Sequence, residues 1–212
     1  LVALWLEQEG RAALASNSHI EALRLLVQAL ESKSQEKALK YLIADAVRPL
    51  DALAMVVSGQ HSQMSSGSYS SDGSRLVIAS GDGTARVLSA ETGKEVLVLR
   101  GHSQYVNSAV FSPDGKYILT ASADRTVRLW DAYSGALLRS YLGHTKAVNR
   151  AEFDPAGTRI ATAGADGLSL IFCRDTGALE LRLQGHQSFV NSVTFSPDGK
   201  TVLTGSADRT AR

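Results

Sequence analysis

The sequence predicts a mainly β fold built from a repeated four-stranded unit and preceded by a small α-helical segment. Separate features of the unit recur every 42 residues: a Gly-His pair, a Pro-Asp-Gly or related turn, and an aspartate. The recurring histidines are His102, His144 and His186, and the recurring aspartates are Asp124, Asp166 and Asp208. Because independent features keep one register, the chain between them repeats a structural unit.

The unit 101–142 is typical of four short antiparallel strands. Ser112-Pro113-Asp114-Gly115 is a turn sequence, and the flanking runs are rich in β-branched and aromatic residues. The predicted strands are 105–111, 117–122, 126–130 and 136–142. Alternate side chains of a strand lie on opposite faces, and apolar residues occur in both sets. We therefore expect both faces of each sheet to be buried.

A Gly-His pair near one end of this unit and Trp130-Asp131 near the other resemble a WD repeat. The resemblance implies that each copy is a blade of a β-propeller. It implies a partial propeller of about three and a half blades over 59–212, from a fragment of a longer protein. The copies span about 59–100, 101–142, 143–184 and, truncated, 185–212.

The polar residues of the unit have two interpretations. They are a catalytic or metal-binding set, or they are the structural tetrad that the WD resemblance implies, in which a His, a strand Ser or Thr, the turn Asp and the Trp hydrogen bond to one another. Buried polar groups need such partners, and an active site is rarely copied at every period, so we favour structure. The predicted set is His102, Thr120 or Ser122, Asp124, Trp130, His144, Asp166, His186 and Asp208.

The copies differ from one another. Leu88 and Phe172 stand where the second copy has Trp, and Cys173 replaces the following Asp. We interpret Cys173 as an ordinary, partly buried thiol. In the first copy the segment 64–69, MSSGSY, lacks large aliphatic residues, so we expect a weak or frayed strand there.

Residues 1–50 differ in kind from the rest. A capping-box pattern at Ser18–Glu21 precedes an apolar stripe, and similar stripes on either side predict three helices in all. The segment is similar to one and a half tetratricopeptide repeats, although a helical linker explains the pattern as well. Helices followed by WD repeats resemble the C-terminal regions of bacterial multidomain signalling proteins.

Composition excludes several classes of function. Lys and Arg total 22 against 21 Asp and Glu, so no basic excess favours nucleic-acid binding. No apolar run is long enough to span a membrane. The single cysteine fits a reducing compartment, which predicts a cytoplasmic location. No phosphate loop or nucleophile elbow is present, and histidines placed one per copy do not suit zinc, so we expect no cofactor and no metal.

These observations favour a non-catalytic scaffold for protein–protein interaction. The alternative is a regulatory or sensory C-terminal region of a bacterial signalling enzyme, with a Ser/Thr kinase or nucleotide-hydrolysing domain elsewhere. The resemblance places the partner-binding positions just after each Gly-His pair, unless the aromatic rings pack between blades and the Asn side chains hold local backbone. The predicted partner-binding residues are Tyr105, Asn107, Lys146, Asn149, Phe189 and Asn191.

Overall fold

The computed structural model of the protein describes residues 63–212 together with Gln8, Glu9, Ala12, Arg24 and Leu26. The chain divides into two compact units, Leu1–Val57 and Ser58–Arg212. The five described residues of the first unit have helical backbone, and Leu26 is fully buried. The remainder of the predicted helical segment lies outside the described residues.

The second unit consists of antiparallel β-sheets that follow one another along the chain. The first sheet contains β1 (Met64–Tyr69), β2 (Arg75–Ser80), β3 (Ala85–Ser89) and β4 (Glu95–Leu99). The second contains β5 (Val106–Phe111), β6 (Tyr117–Ser122), β7 (Val127–Asp131) and β8 (Leu137–Tyr141). The third contains β9 (Val148–Phe153), β10 (Arg159–Gly164), β11 (Ser169–Cys173) and β12 (Leu179–Leu183). The fourth contains β13 (Val190–Phe195) and β14 (Val202–Ser206).

Each four-stranded sheet is an up-and-down meander, so strands adjacent in sequence pair with each other. The turn between β5 and β6 shows how the sequence builds it. Asp114 Oδ1 accepts from Ser112 Oγ at 2.6 Å and from the Lys116 amide at 3.1 Å, and Gly115 adopts a φ of 69°. Only glycine takes that conformation without strain. The predicted strands of the second copy are confirmed to within one residue at each end.

The expectation of a weak strand at 64–69 is wrong. β1 pairs with β2 from Met64 to Tyr69, with one register shift near Ser66. Its small side chains bond to the second sheet in place of apolar packing: Ser65 Oγ donates to the Val106 carbonyl at 2.6 Å. The amide of Ala109 donates to Ser66 Oγ at 3.3 Å. Serine hydroxyls therefore hold this strand against the second sheet, and at the position of Ser65 the other copies have asparagine.

Apolar residues fill the spaces between successive sheets. Val77 and Val87 of the first sheet cluster with Ile118 and Trp130 of the second. On the opposite face of the second sheet, Leu119 belongs to a cluster that includes residues of the third sheet. A third cluster joins the third sheet to the fourth. Both faces of the second and third sheets are thus buried, as the apolar content of both side-chain sets predicts.

Arginines at one end of the sheets tie each sheet to its neighbour. Arg75 and Arg159 donate to backbone carbonyls of the turn between the first two strands of the next sheet, whereas Arg174 donates to that turn of its own sheet. The bonds join Arg75 to Gly115, Arg174 to Gly157 and Arg159 to Gly199. Tyr117 occupies the position that Arg75 and Arg159 hold in their copies, and there Arg174 reaches across and stacks 4.8 Å from the centre of the tyrosine ring. The turn carbonyl thus accepts either from an arginine of the preceding sheet or, where that position is Tyr117, from Arg174, which also stacks on the tyrosine ring.

Candidate functional site

His102 lies at the centre of a buried hydrogen-bonded set in the second sheet. Its Nε2 is 2.7 Å from Thr120 Oγ1, and its Nδ1 is 2.7 Å from Asp124 Oδ2. Trp130 Nε1 donates to Thr120 Oγ1 at 2.8 Å. Only 1% of the His102 side chain is exposed, and Thr120 is fully buried.

The turn between β6 and β7 positions the carboxylate. Asp124 Oδ1 accepts from the amide of Thr126 at 3.0 Å and from its hydroxyl at 2.7 Å. Arg125 stands at a φ of 73°, where the first copy has Gly83 at 81°. This left-handed residue closes a tight turn and leaves Oδ2 free to face the imidazole. The amide of Ser103 also donates to that oxygen, at 3.2 Å.

The donors and acceptors of this set form one consistent chain. Asp124 is the acceptor for His102 Nδ1–H, so Nε2 accepts from the Thr120 hydroxyl, whose oxygen accepts from Trp130. Burial lowers the pKa of His102, against the opposing effect of Asp124. Burial alone would raise the pKa of Asp124, but hydrogen bonds from Thr126 and His102 outweigh it and lower the pKa to about 2. A neutral imidazole therefore lies beside an ionised carboxylate at pH 7.

The third copy forms the same contacts without an indole. His144 Nε2 is 2.7 Å from Thr162 Oγ1, and its Nδ1 is 3.0 Å from Asp166 Oδ1. Phe172 occupies the position of the tryptophan and is 2% exposed, so no side-chain N–H reaches Thr162 from there. Burial again lowers the pKa of the histidine.

The fourth copy repeats the arrangement at a more open position. His186 Nδ1 is 2.8 Å from Asp208 Oδ2, and its Nε2 is 2.9 Å from Thr204 Oγ1. The hydroxyl of Thr210 donates to Asp208 at 2.6 Å and lowers the pKa of that carboxyl well below its usual range.

The two hydroxyls that the sequence left open have different partners. Thr120 bonds to His102, whereas Ser122 Oγ donates to the carbonyl of Tyr105 at 2.9 Å and accepts from the amide of Asp124 at 3.1 Å. Ser122 therefore supports the turn and the start of β5. Among the described residues, no hydrogen bond joins Ser122 to the imidazole of His102. The register of β6 explains this, because Ser122 is its last residue.

The first copy uses its aspartate differently. Asp82 Oδ2 forms an ion pair with Arg86 at 2.8 Å, and Arg86 also reaches Glu95 at 2.9 Å. Burial opposes ionisation of Asp82, but hydrogen bonds from Thr84 and Arg86 lower its pKa well below the usual range. The first copy therefore retains the turn aspartate, and Arg86 of β3 is an ion-pair partner of its carboxylate.

The predicted aromatic anchors lie on the surface. Tyr105 is 66% exposed and Phe189 is 50% exposed, so neither ring packs between sheets. Lys146 Nζ lies 5.9 Å from the centre of the Phe189 ring. In the meander this end of the sheets carries the connections between sheets and the turns between second and third strands.

Two of the predicted asparagines are engaged with neighbouring backbone. Asn107 Nδ2 donates to the Val148 carbonyl at 2.9 Å, and Asn149 Nδ2 donates to the Val190 carbonyl at 2.8 Å. The third, Asn191, is exposed and has no such partner among the described residues. The alternative that these side chains hold local backbone therefore describes Asn107 and Asn149.

A cavity beside Tyr105 was not predicted from the sequence. It has a volume of about 430 Å³, lies between the first and second sheets, and is lined by Gln63, Ser65, Gly81, Tyr105 and Asn107. Gln63 is one 42-residue step before Tyr105, so the repeat alignment could have identified it. The cavity places polar side chains next to an exposed aromatic ring.

The described residues contain no group of three His, Cys, Asp or Glu side chains placed to hold a metal ion. Cys173 is partly exposed at the end of β11, and a hydrogen bond with the Thr176 side chain lowers the pKa of its thiol. No helix in the described part of the chain is long and apolar enough to cross a membrane.

Comparison with known families identifies the repeat. The family described as WD domain, G-beta repeat (WD40) matches residues 93–131, 135–172 and 177–212, which together make up more than half of the chain. The chain belongs to the WD40 repeat family. WD40 repeats are in general non-catalytic modules for protein–protein interaction. No curated protein matches the chain.

The WD40 matches are offset from the sheets by one strand. The match 93–131 begins before β4 and ends with β7, so it contains the last strand of one sheet and the first three of the next. The match 135–172 repeats this offset from β8 to β11. The polypeptide of each WD40 sequence repeat therefore runs from one sheet into the next. The Gly-His pair lies in the segment that connects the two sheets, as Gly101-His102 does between β4 and β5.

Proposed function

We propose that the WD40 part of this protein is a non-catalytic protein-interaction scaffold whose sheets are blades of a partial β-propeller. The repeated meander and the burial of both faces of the second and third sheets support this arrangement. The His102 set supports a structural role, since its imidazole and Thr120 hydroxyl are shielded from solvent and fully engaged. A buried hydroxyl of this kind is inaccessible to a substrate. The lone Cys173 thiol supports a cytoplasmic location.

We infer that the partner binds at the end of the sheets that carries Tyr105 and Phe189. The observation that carries this proposal is the exposure of both rings at equivalent positions of two copies. Aromatic rings are enriched among residues that dominate binding energy, and solvent-exposed rings on a rigid sheet lose little entropy on binding. Lys146 adds a cation beside one ring. The exposed Asn191 extends the same surface, whereas Asn107 and Asn149 stabilise it through their hydrogen bonds to the backbone of the next sheet.

Site-specific photo-crosslinking tests this assignment. A benzoylphenylalanine is introduced in place of Tyr105, of Phe189, and of Tyr133, which is 69% exposed in the turn between β7 and β8 at the opposite end of its sheet. The proposal predicts the same cross-linked partner from the first two sites and not from the third. Cross-links confined to position 133 would place the interaction at the other end of the sheets.

A further inference from the structure

One pair of residues breaks the chemical pattern of the first strands. Strands β1, β5, β9 and β13 are each the first strand of a sheet, and Arg150 and Glu152 of β9 are their only charged residues. The positions equivalent to Arg150 in the other copies are Ser66, Ser108 and Ser192. The fold therefore accepts serine there, and no structural need of the repeat explains the arginine.

The guanidinium of Arg150 has unused donors. Its Nη2 lies 3.5 Å from Glu152 Oε2, and 48% of the arginine side chain is exposed. Within residues 63–212 the guanidinium forms no hydrogen bond. Glu152 is held more firmly, because Thr194 Oγ1 donates to its Oε1 at 2.9 Å. The glutamate thus restrains the arginine from one side and leaves most of its N–H groups free.

The pair lines a cavity to which the first, second and third sheets all contribute. The cavity has a volume of about 350 Å³, which suits a few atoms of a peptide rather than a large cofactor. Its walls include Val110, Pro113 and Tyr69, whose ring is 63% exposed. The site therefore combines one open cation with apolar and aromatic surface. It is formed partly by the turn between β5 and β6, at the end of the sheet opposite to Tyr105. It lies at the β5 edge of that end, whereas Tyr133 lies between β7 and β8 near the other edge.

We propose that Arg150 binds a carboxylate of a partner peptide, an Asp or Glu side chain next to an apolar residue, in this cavity. The planar guanidinium matches a carboxylate in a bidentate geometry, and the apolar walls accept the neighbouring side chain. A phosphate dianion fits less well, because its second negative charge would lie close to Glu152, whereas a monoanionic carboxylate needs only the free N–H groups of Arg150. The inference rests on the proposed interaction function and adds to it a second contact with defined chemistry.

The test uses pairs of acetylated, amidated octapeptides that differ only in a central Glu or Gln flanked by Leu and Phe, with binding followed by fluorescence anisotropy. The full chain is expected to bind the Glu peptide about tenfold more tightly than the Gln peptide, a difference of about 1.4 kcal/mol. Arg150→Ser, which installs the residue of the other copies, should abolish the difference. Lys116→Ser is the matched control, since Lys116 is exposed and lies outside the cavity.

Thermal unfolding of each variant shows whether the fold is retained, and Arg150→Lys, which keeps the charge and loses the planar fork, should give an intermediate preference. Equal binding of Glu and Gln peptides by the wild-type chain would overturn the proposal. So would an unchanged preference in Arg150→Ser, or binding of a phosphoserine peptide in place of the Glu peptide. A partner that cross-links at Tyr105 and binds Arg150→Ser as tightly as the wild type would overturn this inference alone.

Discussion

Trp130 donates its indole N–H to Thr120 at 2.8 Å, whereas the equivalent Thr162 in the next copy faces Phe172 and has no indole donor. The histidine and aspartate contacts are nevertheless present in both copies. The indole bond is therefore an addition to the His-Thr-Asp arrangement and not a condition for it. The second sheet carries the fuller set of bonds.

Trp130→Phe, which makes the second copy resemble the third, should lower the free energy of unfolding by about 1–3 kcal/mol. The loss combines the indole bond with the volume that the smaller ring leaves empty. Urea denaturation of Trp130→Phe, Thr120→Val and the double variant forms a double-mutant cycle. Strictly additive losses would show that the bond between the two side chains contributes nothing to stability.

The asparagine positions provide a matched pair. Asn149→Ala removes a bond to the Val190 carbonyl and should lower stability by about 1 kcal/mol. Asn191→Ala removes an exposed amide and should change stability by less than about 0.5 kcal/mol. Denaturation midpoints of the two variants decide this, and equal losses would contradict the assigned roles.

Acidification should destabilise the protein. Burial lowers the pKa of His102 and His144 below the ordinary value of about 6.5, so the unfolded chain binds more protons than the folded one at mildly acidic pH. This contribution to stability is present above about pH 6.5 and is lost as pH falls towards the folded-state pKa values. Asp124, with a pKa of about 2, adds a further loss below about pH 4.

Chemical denaturation at a series of pH values between about 7.5 and 5 measures this effect. Stability should decrease steadily over the range, and His102→Ala should show a shallower dependence because one buried histidine is gone. A wild-type stability that is constant or rises on acidification would contradict the neutral state of these imidazoles.

The third copy has a glycine where close packing leaves no room for a side chain. A Cβ on Gly164 would lie within van der Waals overlap of His144 Nδ1 and Asp166 Oδ1. Gly164→Ala should therefore destabilise by about 1–3 kcal/mol. Gly67→Ala in β1 is the control, because its Cβ would meet the Val77 carbonyl at an ordinary 3.4 Å. A neutral effect of Gly164→Ala would show that His144 moves aside freely.

Local patterns predict the parts of this structure that depend on neighbouring residues. The strands of the second copy follow from β-branched residues and turn sequences, and the pairing of His102 with Asp124 follows from the repeat. These features need only the chain within one copy. The choice of Thr120 over Ser122 was not decided by sequence, since both share a face of β6 and only the turn shows that Ser122 is already bonded to Tyr105.

Contacts between sheets are less accessible to sequence reasoning. The strand at 64–69 has small, polar residues with low strand propensity, and its stability comes from bonds such as that of Ser65 to Val106 in the next sheet. The amide bond from Asn107 to Val148 likewise spans two copies. Such bonds depend on the register of one sheet against another, which no local pattern records. The 42-residue alignment does show that Arg150 replaces the serine of the other three copies, but only the structure shows that this position lines a cavity.

The most direct test of the interaction surface is a binding measurement on Tyr105→Ala/Phe189→Ala, made with the partner that cross-links at those positions. Because both rings are largely exposed, the double variant should keep its unfolding temperature within about 2 °C while its affinity falls at least about tenfold. Tyr133→Ala serves as the control and should bind as the wild type does. Unchanged affinity, or a loss of affinity matched by a loss of stability, would contradict the account.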